Sequence, residues 1–129
     1  MCNSYSSWAA TIYLVGNSKI DSKATEDMTH IKDSRIDQCL NDIQKYEKWG
    51  NLLAGQSWVH LFNSNAPVSL SAIHNGLECI KAKMKLFVLQ DIQHSEEEKE
   101  KRLKQIDIDI HHTEEVLKHD LEYRGVLVP

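Results

Sequence analysis

His111, His112, Glu114, Glu115 and His119, crowded into one short stretch, carry the side chains best able to do chemistry in a chain with seven histidines. On a helix, His112, Glu115 and His119 fall three and four residues apart and share a face. His74 and Glu78 are also one turn apart. They come to about the same level if the two segments fold back on each other. Imidazoles and carboxylates gathered between bundle helices are how di-metal carboxylate proteins hold iron or manganese. A metal-binding helical bundle with His74, Glu78, His112, Glu115 and His119 as ligands is therefore an alternative expectation. Against it, the Glu-x-x-His pairs that such sites use are missing, and the Ile36–Tyr46 stripe supplies no further ligand. The preferred expectation is no metal and no cofactor, with edge histidines making ordinary hydrogen bonds.

No other pattern announces catalysis. The chain has no Gly-rich phosphate loop, no Gly-x-Ser-x-Gly and no His-Glu-x-x-His, so no catalytic residue is named and no enzyme is expected. Cys2, Cys39 and Cys79 are odd in number and lack Cys-x-x-Cys spacing, which points to free thiols in a reducing compartment and no structural zinc. Lys81, Lys83 and Lys85 make a small basic cluster, but alternate residues do not share a helix face. With a net charge of −4 there is no global attraction to nucleic acid, and a nucleic-acid-linked regulator stands as the second alternative. No apolar run reaches the length of a membrane span. Trp8–Val15 imitates a signal-peptide core, yet the first basic residue is Lys19, so the positive n-region is missing. The expected location is the cytoplasm, or the host cytoplasm for a viral or phage chain.

The elements that must position these residues are helices. Scarce glycine and proline, five and two, disfavour a turn-rich β fold, and 41% hydrophobic with 26% charged residues is ordinary for a soluble globular chain. Leu70, Ile73, Leu77, Ile80, Met84 and Phe87 form one apolar stripe; Leu103, Ile106, Ile110, Thr113 and Leu117 form another. Ser95 and Glu98 make a capping box between them, with Glu96, Glu97 and Glu98 at the positive end of the helix dipole. The expected fold is a small all-α bundle built on a long antiparallel hairpin, about residues 69–93 and 96–123. One or two further helices come from the N-terminal half. Folding the stripes together sets Met84 against Ile106, Ile80 against Ile110 and Phe87 against Leu103. On the edges it sets Lys81 against Asp107, Lys83 against Asp109 and His74 against Glu114.

The remainder of a single domain, residues 1–129, is expected as follows. Residues 1–22 form an N-terminal segment with loose first residues, and Trp8–Val15 is assigned to helix. Residues 34–62 form a helix capped by Ser34, stopping or kinking near Trp49-Gly50-Asn51, followed by a short aromatic-rich helix around Trp58 and Phe62. Arg124-Gly125 ends the last helix, and the apolar tail 124–129 docks. Leu86-Phe87-Val88-Leu89 is apolar all round, and Ile108 points away from the hairpin seam. Two helices cannot cover them, so Leu86, Val88, Leu89, Ile108, Trp58 and Phe62 are the expected interface residues. The expected function is a non-enzymatic interaction or regulatory module. It acts as a homodimer or on another protein, without nucleic acid or membrane.

Overall fold

The computed structural model describes residues 11–18, 20, 33–54 and 67–129. Residues 11–16 are helical, in keeping with the helix assigned to Trp8–Val15, of which residues 8–10 lie outside the described residues. Helix α1 spans Ser34–Ala54, strand β1 Val68–Ser69, helix α2 Leu70–Gln90, helix α3 Glu96–Tyr123 and strand β2 Leu127–Val128. The protein is a small all-α bundle with α2 in the middle. The expected aromatic-rich helix around Trp58 and Phe62 lies outside the described residues. None of the described helices is long and apolar enough to cross a membrane.

The hairpin forms as its local signals require. Ser69 accepts the Ala72 N–H at 3.4 Å to start α2, and Ser95 accepts the Glu98 N–H at 3.2 Å to start α3. Each side chain satisfies a backbone donor that has no partner inside its helix. Ile73, Leu77 and Ile80 of α2 join Ile106, Ile110 and Leu117 of α3 in one buried cluster, with Met84 packed against it. Thr113, the polar member of the stripe, is buried and donates its hydroxyl hydrogen to the Asp109 carbonyl at 2.8 Å.

The edges depart from expectation by one turn. His74 meets Glu114 at 2.6 Å, as the antiparallel register demands. Asp107, however, pairs with Lys85 at 2.6 Å, while Lys81 turns to Glu78 on its own helix at 2.8 Å. Lys83 is not an edge residue at all but lies buried. Phe87 is not in the seam either; it is 37% exposed, and Leu86 and Leu89 point inward in its place.

The more extensive packing is between α1 and α2. Ile36, Cys39 and Ile43 meet Ala82, Leu86 and Leu89 at one end of this antiparallel pair. At the other end the backbones approach closely. A Cβ on Gly50 would lie 2.5 Å from the Cys79 Sγ, and one on Gly76 would lie 3.0 Å from the Trp49 carbonyl oxygen. Helix α1 therefore does not stop at Gly50 but runs on to Ala54. The glycine is there for the neighbouring helix, and its intrinsic helix penalty of about 1 kcal/mol is outweighed by packing. Its cap also differs. Asp33, not Ser34, precedes the helix, and its Oδ1 accepts the Arg35 N–H at 2.9 Å.

At the far end, Gly125 adopts φ 72°, the left-handed conformation that glycine reaches without strain. Its N–H donates to the Glu122 carbonyl, and the Val126 N–H donates to that of Leu121, a pair of bonds that closes the helix as a Schellman motif. The turn delivers the apolar tail to β1. Leu127 pairs with Val68 and Val128 with Ser69 in a short parallel ladder. Val126 is buried, so the tail docks as its composition requires.

Candidate functional site

The histidines do not converge. His74 is tied to Glu114, and Glu78 to Lys81, on the flank of the hairpin. His112, Glu115 and His119 sit on the exposed outer face of α3, beside Val116, Asp120 and Tyr123, along an open depression. Among the described residues, no three His, Cys, Asp or Glu side chains come together in a way that could hold a metal ion. Helical spacing put His112, Glu115 and His119 on one face correctly; Glu115 also borders a depression with His74 and Glu114, which His112 and His119 do not line.

The thiols are not poised for nucleophilic work. Cys39 and Cys79 are free and buried in the seam between α1 and α2. Burial pushes the Cys39 thiol up to about 11, and burial raises that of Cys79 as well. Both are protonated at neutral pH and act as small apolar packing groups. Cys2 lies outside the described residues.

The basic cluster dissolves into three separate roles. Lys81 and Lys85 are engaged by Glu78 and Asp107. Lys83, only 5% exposed, sends its ammonium to the Gly16 carbonyl at 2.7 Å and the Ser18 carbonyl at 3.2 Å. These carbonyls lie at the end of the helical segment 11–16, where the backbone dipole is negative, so backbone oxygens stabilise the cation. Asn17 completes the clasp, donating through Nδ2 to the Tyr13 carbonyl at 2.8 Å and the Ala54 carbonyl at 3.0 Å. A methyl group on Gly16 would meet the Ala54 Cβ at 2.2 Å, so the segment lies directly on α1.

Two further polar networks brace the end where α2 passes into α3. Arg35 holds Asp33 and reaches Glu100 at 2.8 Å and Glu96 at 3.2 Å, joining the starts of α1 and α3. Its side-chain hydrogen bond to Asp33 holds that carboxyl below its ordinary range. In the turn, Asp91 accepts the Gln93 N–H at 2.8 Å and contacts His94 Nδ1, while Arg102 bonds the His94 Nε2 at 2.9 Å. The Gln93 N–H, then the His94 contact, lower the Asp91 pKa.

What stays open is apolar. Of the expected interface residues, Leu86 and Leu89 are buried against α1, Val88 lies at the margin of the hairpin core, and Ile108 is 60% exposed. Trp58 and Phe62 are outside the described residues. Val15, Met84, Phe87, Val88 and Ile106 line an open groove between α2 and α3, with Arg102 and Gln105 at its edge. Ile92 in the interhelix turn is 91% exposed and Tyr123 at the end of α3 is 90% exposed. The signal for Phe87 was present in the all-apolar turn 86–89; Tyr123 had none, since it belongs to no apolar stripe.

No protein-family model, no curated protein and no solved structure matches this chain.

Proposed function

We propose that this chain is a non-enzymatic interaction module whose working surface is the outer side of the α2–α3 hairpin, acting by self-association or by binding another protein. The observation that carries this reading is the group of large apolar side chains left exposed along the hairpin, Phe87, Ile92, Ile108, Val116 and Tyr123; Tyr13, Leu14, Leu52 and Val128 are exposed elsewhere. Burying such side chains is worth roughly 1.5–3 kcal/mol each, so a hairpin that strands several gains by having them covered. The polar clusters favour the same reading. The buried thiols, the clasped Lys83 and the braced turn all have a structural use; Cys39 borders a cavity with Asp42, Lys81 and Lys85, but burial pushes its thiol up to about 11.

Sedimentation of the full chain at micromolar concentration, alongside Ile108→Glu, tests the reading. Wild type is expected to self-associate, or to capture a partner from native extract when immobilised. Ile108→Glu is expected to weaken that association with helix content unchanged. A chain that is monomeric and captures nothing contradicts the proposal.

A further inference from the structure

Resting on that reading, we infer that the partner is a second copy of this chain, docked antiparallel along the outer face of α3 with Tyr123 of each copy seated in the apolar groove of the other. One stripe of α3 carries both halves of the fit. Gln105, Asp109, His112, Val116, His119 and Tyr123 are spaced four, three, four, three and four, so they run straight along one side of α3. Asp109 is partly buried and the other five are exposed. One end of the stripe is a knob, the exposed Tyr123 ring. The other end is a hole, the groove of about 370 Å³ that Gln105 borders. Knob and hole lie eighteen residues apart on the same helix face, about 27 Å at 1.5 Å per residue.

A two-fold axis between His112 and Val116 converts that separation into a fit. In an isologous pair, residue i meets residue j and j meets i. Setting Tyr123 opposite Gln105 sets Asp109 opposite His119 and His112 opposite Val116, with no further adjustment. Acid meets imidazole twice across the axis, and no like-charged pair is brought together within the stripe. Ile108, on the flank, falls nearest Glu122 of the other copy, so Ile108→Glu would bring two carboxylates together. The ring would lie over Met84, Phe87 and Val88 with the Arg102 guanidinium beside it. This is an aromatic anchor in an apolar pocket with a cation at the edge, the arrangement that dominates interface energetics.

The test uses the full chain in a Cys2→Ser background, in which Cys39 and Cys79 are buried. Tyr123→Ser removes the knob from an exposed helix end and leaves the fold intact. It is expected to raise the dimer dissociation constant by about tenfold or more. His112→Cys with Val116→Cys places thiols opposite each other across the axis, and a short thiol-specific cross-linker should give covalent dimer. Lys101→Cys with Lys104→Cys places all thiols about 30 Å or more from those of the other copy and should not. A dimer that ignores Tyr123→Ser, or that cross-links equally in both double variants, overturns this docking mode while the interaction reading stands. A chain that stays monomeric also overturns it. An interaction role as such is contradicted only if the immobilised chain captures no other protein either.

Discussion

Helix α2 closes its two sides by opposite means. Toward α1 it offers Gly76, Cys79 and Ala82, and the backbones come close enough that a single added methyl at Gly50 or Gly76 collides. Toward α3 it offers Ile73, Leu77 and Ile80, and the helices stand apart by the width of branched side chains. The first seam is held by shape, where fit depends on what is absent. The second is held by apolar bulk, and its outer margin stays open at Phe87 and Val88. A middle helix can therefore fix one neighbour rigidly and still present an unfinished surface beside the other.

The largest effect should come from the buried end of the α1–α2 seam. Leu86→Ala leaves a cavity beneath Ile36, Cys39 and Ile43 and is expected to cost about 2–5 kcal/mol in chemical unfolding. Phe87→Ala, one residue away but facing the open groove, should cost about 1 kcal/mol or less. Equal losses would mean that the two sides of α2 are not closed differently. Gly50→Ala sharpens the point by its sign. In an exposed helix this change stabilises by about 1 kcal/mol. Here its Cβ would lie 2.5 Å from the Cys79 Sγ, and a net loss of about 1–3 kcal/mol is expected in the same assay. A Cys79→Ala background should recover part of it.

The smallest effect is electrostatic and belongs to the braced end. Asp33 and Asp91 both have folded pKa values below their ordinary ones, through Arg35 and through the Gln93 N–H and His94. A depressed carboxylate contributes stability that is fully present above its unfolded value, about 3.9, and is lost as pH falls through the folded value. Urea midpoints should therefore hold steady from about pH 5 upward on this account and decline below about pH 4. Asp33→Asn should flatten that decline without moving the Leu86→Ala difference.

The hairpin was legible because its determinants are local. A capping serine, an acidic first turn and a stripe repeating at three and four residues announce themselves in a window of a few turns. The α1–α2 seam was not. Gly50 reads as a break when its own segment is considered alone, and only the presence of Cys79 across the interface makes it a requirement. Phe87 was assigned to the seam because one stripe was allotted to each helix, whereas a central helix needs two. The wholly apolar turn 86–89 was the trace of the second. His74 and Glu114 were paired correctly from register. The lysines were misplaced because long side chains reach a turn in either direction, so Lys85 rather than Lys81 meets Asp107. The outer face of α3 was legible in its histidines and in Ile108, but not in Tyr123, whose meaning depends on a groove that exists only after folding.

The clasp of Lys83 has a consequence for the order of events on the ribosome. Its bonds to Gly16 and Ser18 span 67 and 65 residues of sequence. The carbonyls that end the first helical segment thus receive this donor only after most of the chain has been made. Residues 11–18 emerge early and must wait, since closing so long a loop precedes any gain from the contact. A nascent chain stalled before residue 83 lacks the cation that fastens its beginning. Asn17 can bond the Ala54 carbonyl before then, so Lys83 locks a segment that α1 is already able to receive.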